Sequence, residues 1–128
     1  IGVTSDQFVK RMKKPHNVHP YRVRVEGIRR FLHSEDALER AEIVAIEDEY
    51  GTATTGRTMD ALVISKERSH VAKRINKLRR DSGLRPLELI EAQMMLAEDR
   101  RPISASRIRK GEITRTGKIT EKRSRRKA

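Results

Sequence analysis

The sequence predicts an α/β fold with a mostly parallel sheet, on three observations. Short runs of β character alternate with longer runs of helical period, the pattern of βαβ units. The 128 residues suit one ordinary domain with a modest core. Apolar residues make up 35% and aromatics 3%, so that core has to be built from Val, Ile, Leu, Ala and Met inside a heavily charged exterior.

In chain order, Ile1–Thr4 (IGVT) is a first short apolar strand. The stretch PYRVRVEGIRRFLHS sets Val25, Ile28, Phe31 and Leu32 at helical spacing, with Arg22, Arg29 and Arg30 elsewhere on the helix. Glu42–Ile46 (EIVAI) is a second strand running into acidic Glu47, Asp48 and Glu49, and Ala61–Ser65 (ALVIS) is a third, after Asp60. SHVAKRINKLRRDSG has helical period through Val71, Ala72, Ile75 and Leu78, and Gly83 is suited to end it. Leu87–Met94 (LELIEAQM), after Arg85-Pro86, is the fourth strand. A last helix starts around Ser104 to Ser106, where serine is a favoured N-cap, and runs through Ile108.

Composition excludes several classes of function. The absence of cysteine removes disulfides, thiolate metal sites and cysteine nucleophiles, and a reducing, cytoplasmic setting is expected. No apolar run approaches the roughly 18 residues of a membrane span, and no export signal is visible. His16 and His19, without acidic or thiol company in a basic loop, make a poor metal site, so no metal ligands are assigned. The net charge is +12, and the segment 115–128 holds seven Lys/Arg against Glu121 alone. That segment is expected to be a basic tail without fixed structure, following a domain at 1–114. Lacking aromatics to stack bases, it would offer nucleic acid only nonspecific phosphate attraction.

The stretch ISASRIRKGEI, Ile103–Ile113, places two serines ahead of Arg107, Arg109 and Lys110, and it follows a strand across a short loop. In open α/β sheets, ligands gather at the carboxyl ends of strands, where backbone N–H groups, hydroxyls and a guanidinium fork suit an anion. A serine-capped basic helix is the plain alternative for the same residues.

Six collinear segments resemble the archaeal-type phosphopantetheine adenylyltransferases, which are similar to the adenylyltransferase half of eukaryotic coenzyme A synthase. These segments are IGVTSDQFV, YRVRVEGIRRFL, IEDEYGTA, DALVIS, INKLRRDSGLRPLELI and ISASRIRKGEI, spanning Ile1 to about Ile113. The resemblance implies a Rossmann-like nucleotidyltransferase that moves adenylate from ATP to 4'-phosphopantetheine, with Mg2+ accompanying the ATP. By position in the motifs, Ser104, Ala105, Ser106 and Arg107 would hold the ATP phosphates, and Arg109 is the second arginine of the motif. Asn76 and Arg79, one helical turn apart, would meet the nucleotide. Lys13 or Lys14 would lie near phosphate; Lys14 and Arg107 are the expected catalytic cations. Lys13, Arg24, Asp48, Tyr50 and Gly51 would bind the acceptor.

The chain has no HxGH motif, the phosphate-binding signature of that superfamily. The reading that follows is of a chain lacking the family's first strand and inactive alone. A noncatalytic nucleotidyltransferase-like module binding phosphate or RNA is the main alternative. An adenylyltransferase for another phosphorylated acceptor is a second.

Overall fold

The computed structural model describes residues 1–14 and 16–121, and in it the chain forms two successive βαβ units. The first unit is β1 (Gly2–Thr4), α1 (Asp6–Met12), α2 (Tyr21–Ser34) and β2 (Val44–Ile46). The second is β3 (Ala61–Ile64), α3 (Ser69–Asp81) and β4 (Glu88–Glu91), followed by α4 (Ala105–Arg109). Each unit closes on a parallel pair, Val3 beside Ala45 and Leu62 beside Leu89. Parallel neighbours cannot be joined by a tight turn, and the helices supply the crossovers. The predicted sheet is therefore realised as two parallel pairs that do not hydrogen-bond to each other. A cleft separates them, with Gly2 and Ile46 on one side and Leu62, Val63 and Ile64 on the other.

Short elements are fixed by their ends rather than their period. α1 is too short to show a periodicity, but Ser5 caps it by accepting from Phe8 N at 3.1 Å, and Lys13 closes it in the left-handed region at φ 48. α2 has no side-chain cap of its own at Pro20; Asp6 Oδ1 accepts from Tyr21 N at 2.8 Å and does that work from α1. Phe31, predicted to face the core, is 63% exposed because its face of α2 borders an open cleft shared with Val23 and Ile28.

α3 carries the main core. Its buried face is Val71, Ala72, Ile75, Asn76 and Arg79, so Leu78, predicted to be part of the stripe, is only half-buried. Val71 and Ile75 pack with Ala53 and Leu87, and Tyr50, Met59 and Leu62 cover them. Asn76 joins this face to the backbone before β4: Nδ2 donates to Leu87 O at 3.0 Å, and Oδ1 accepts from Leu87 N at 2.7 Å. Both polar groups of a buried peptide residue are thereby satisfied, and Leu87 is held in place ahead of the strand.

The predicted strands are trimmed by one to three residues at their ends, and two differences from the predicted boundaries have a clear cause. β4 ends at Glu91 rather than Met94 because β3 ends at Ile64, whose carbonyl accepts the last bond, from Ala92 N. Residues Arg115–Thr120, expected to lack fixed structure, instead belong to a hairpin. Ile113 pairs antiparallel with Ile119, Thr114 N donates to Lys118 O at 2.9 Å, and Gly117 turns at φ 86. Ile113 is 2% exposed, and that apolar anchor supplies the ordering energy that charge counting alone overlooks. The remainder of the predicted tail, 122–128, lies outside the described residues. Among the described residues no helix is long and apolar enough to cross a membrane.

Replacing Asn76 with Leu should leave the Leu87 N–H and C=O unpaired and destabilise the fold by about 2–4 kcal/mol, since each buried orphan costs about 1–3 kcal/mol. Urea unfolding measures this, and a loss below about 1 kcal/mol would remove the clamp from the account.

Candidate active site

The carboxyl end of β1 collects polar groups from four elements. Thr4 ends the strand, and Arg24 from α2 donates Nη1 to Thr4 Oγ1 at 2.9 Å, Nε to His19 O at 2.8 Å and Nη2 to Asp6 Oδ1 at 3.2 Å. Three acceptors in three directions orient the fork, and its side chain is 13% exposed. From the same loop, His16 Nε2 and Ser106 Oγ of α4 are hydrogen-bonded at 3.1 Å, joining residues 90 positions apart. Arg109, on the exposed side of α4, lines a cleft of about 630 Å3 together with Thr4, His19 and Arg24. This cleft is thus cationic at one end, with Arg24 partly neutralised by Asp6 and Arg109 making no ion pair among the described residues.

A second cleft, of about 290 Å3, lies on the other side of the β1–β2 pair and has a different lining. Its walls are mostly apolar, with Met59, Leu62, Ile64, Val71 and Ile75 among them; Thr52, Ser65 and Arg68 also line it, and residues 50–53 run along one side. Asp48 shapes that side without entering the cleft: its Oδ1 accepts from Tyr50 N at 2.9 Å and from Gly51 N at 2.8 Å. At the rim, exposed Arg68 and Glu49 form a 3.4 Å pair of the kind that contributes little to stability.

Not every residue expected at the site is brought there. Asn76 and Arg79, expected to meet the nucleotide, line neither cleft; both are buried and bonded to backbone. Arg107, expected at the ATP phosphates, is likewise turned inward. It donates Nη2 to Asp99 Oδ2 at 2.6 Å, Nε to Glu112 Oε2 at 3.1 Å and Nη1 to Pro102 O at 2.9 Å. Desolvation opposes its charge, but the hydrogen bonds and charges of Asp99 and Glu112 outweigh that and hold its pKa above the ordinary arginine value. Ser104 caps α4 by accepting from Arg107 N at 3.2 Å, and Ala105 is exposed at the first helical position. Lys13 and Lys14 are exposed at the end of α1.

The cytidylyltransferase-like family model matches residues 1–111. This chain belongs to that family. Within it, the chain is 45% identical over 113 residues to the phosphopantetheine adenylyltransferase of Methanopyrus kandleri, covering 88% of this chain and 71% of that protein. It is 38% identical over 122 residues to the enzyme of the same name from Methanothermobacter thermautotrophicus, covering 95% and 72%. A solved structure from Archaeoglobus fulgidus, described as of unknown function, superimposes with a TM-score of 0.59 at 28% identity, over 73% of this chain and 66% of that one. These likenesses establish a nucleotidyltransferase of the α/β class, with the strand-end clefts where such folds bind ligands.

Three groups at the candidate site are not expected there from the sequence: Thr4, and His16 and His19, which the sequence offers only as poor metal ligands. Their only sequence signal is position, after a strand and within a basic loop, and only the fold shows that the loop closes on α4. Gly51 has a backbone reason to be glycine: φ is 54, and a Cβ would lie 2.8 Å from Ile46 Cγ2. Gly51→Ala should therefore cost roughly 1–2 kcal/mol in chemical denaturation, the usual penalty for a left-handed non-glycine residue; a neutral substitution would contradict that conformation.

Proposed function

We propose that two clefts beside the β1–β2 pair share the substrates of phosphopantetheine adenylyl transfer, the one with Arg24 and Arg109 taking the phosphates and the one with Tyr50 and Gly51 taking the pantetheine arm. The relatives carry that activity in their names. Adenylate passes from ATP to 4'-phosphopantetheine, giving dephospho-coenzyme A and pyrophosphate in coenzyme A biosynthesis. An oxygen of the acceptor phosphate forms a bond to the α-phosphorus of ATP as the bond to the β-phosphate bridge breaks. Catalysis of such a step is mostly alignment and charge stabilisation.

The observation carrying the assignment is the convergence of Arg24 and Arg109 on one cleft at the end of β1. That cleft receives the phosphates, with Ser106 held by His16 beside it, Ser104 and Ala105 next in the chain, and the exposed side chains of Lys13 and Lys14 free to meet incoming charge. The uncharged pantetheine arm, with its amides and methyl groups, lies along the apolar cleft against Tyr50 and Gly51. Mg2+ would accompany the ATP phosphates, to which this phosphate cleft offers cations.

Calorimetric titration with ATP and with 4'-phosphopantetheine, followed by a pyrophosphate-release assay, tests the assignment. Arg109→Ala should weaken ATP binding by roughly 1.5–3 kcal/mol, the range for hydrogen bonds to charged groups, and leave phosphopantetheine affinity unchanged. Arg107→Lys should lower the unfolding midpoint instead. Unaltered ATP affinity in the Arg109 variant, or failure of the unsubstituted protein to bind either ligand, rejects the reading; binding of both without pyrophosphate release is the outcome expected of a chain that is inactive alone.

A further inference from the structure

Arg79 is 1% exposed, and no carboxylate pairs with it among the described residues. Its partners are three backbone carbonyls: Nε donates to Arg85 O at 2.8 Å, and Nη1 donates to Ala53 O at 2.8 Å and Gly56 O at 2.9 Å. A buried cation without an anion is costly and persists where its donors satisfy groups that nothing else can reach. Here those groups belong to the loop between β2 and β3. The loop is wound into consecutive turns, with Ala53 N donating to Tyr50 O, and Thr55 N and Gly56 N both donating to Thr52 O. Its residues Tyr50 to Ala53 line the apolar cleft. Its inner side presents the Ala53 and Gly56 carbonyls to Arg79, so the guanidinium stands behind the wall and lines no cleft itself.

We propose that Arg79 is a positioning residue for acceptor binding, holding the Tyr50–Gly56 loop in the conformation that the pantetheine arm meets. This rests on the reading of the apolar cleft as the acceptor site. The planar fork reaches carbonyls on both sides of α3's end at once, whereas the compact ammonium of lysine keeps the charge and loses that geometry. Arg79→Lys therefore isolates positioning from charge. When a loop is competent only part of the time, apparent affinity falls in proportion to the competent fraction, so a loop correctly placed about a tenth of the time binds about tenfold more weakly.

The experiment uses the intact protein, Arg79→Lys and two probes, 4'-phosphopantetheine and ATP, with amide hydrogen exchange and calorimetry as readouts. The expected result is faster exchange at Ala53, Thr55 and Gly56 with α3 unchanged, phosphopantetheine affinity reduced by about tenfold, and ATP affinity retained. Uniformly faster exchange through α3 with both affinities falling together would make Arg79 a general prop and overturn the proposal. Unchanged loop exchange and unchanged affinities would overturn it as well. Should the lysine variant fail to fold, the unsubstituted protein decides: phosphopantetheine must slow exchange at Ala53, Thr55 and Gly56, and bound acceptor without that protection overturns the proposal. Absence of any phosphopantetheine binding by the unsubstituted protein would instead overturn the acceptor-site reading on which it rests.

Discussion

The polar clamp from α3 to the backbone on either side of it is the constraint on which the second half of the fold depends. Asn76 fixes the peptide groups of Leu87, and Arg79, one turn on, fixes carbonyls of Arg85, Ala53 and Gly56. Apolar burial is non-directional and tolerates sliding, whereas a hydrogen bond fails within a few tenths of an ångström and a few tens of degrees. A chain with no tryptophan and two phenylalanines has few large rigid rings with which to key a core by shape. Directional bonds from two buried polar side chains supply the registration instead. They couple the entry to β4 and the wall of the apolar cleft to one helix face.

The two buried arginines solve the same desolvation problem in opposite ways, and the difference sets the charge left over for function. Arg107 is neutralised by Asp99 and Glu112, which makes the junction of α4, the loop before it and the following hairpin an internally balanced network. Arg79 keeps its charge and borrows only carbonyl dipoles. At the cleft beside β1, Asp6 offsets part of Arg24's charge while orienting it, and Arg109 has no such offset. The positive potential available to a polyanion in that cleft therefore comes mainly from Arg109 and the exposed lysines, within a protein whose net charge of +12 already favours anionic ligands at a distance.

Much of the fold was legible because its signals are local. The period through Val71, Ala72 and Ile75 marks α3, the Ser104 cap marks the start of α4, and each strand core falls inside its predicted apolar run. What the pattern could not carry was tertiary. α1 has seven residues and is held by the Ser5 cap and the left-handed Lys13 rather than by an apolar stripe. The hairpin after Ile113 depends on contacts with the segment before α4, including Glu98 N to Gly117 O at 2.9 Å, which no charge count of the tail reveals. The candidate site is legible in part: Arg24 and Arg109 of the motif segments line one cleft, whereas the His16–Ser106 contact spans most of the chain and has no sequence signature.

Family resemblance identified the reaction more securely than the role of each motif residue, and donor bookkeeping explains why. Arginine offers five N–H groups, and in Arg107 the Nε–H, both N–H donors of Nη1 and one of Nη2 are taken by Glu112, Pro102 with Arg101, and Asp99. A phosphate could claim a bidentate hold only by displacing a carboxylate and leaving it partly buried without its cation, an exchange that gives back what the new bonds supply. Arg109, two residues further, points to another side of the helix because successive residues turn by about 100°. It is exposed and has no such commitments among the described residues. The same motif thus contains one arginine that builds the frame and one that the frame presents to the cleft. Telling them apart requires knowing where the acceptors are, which is a property of the folded chain and not of the motif.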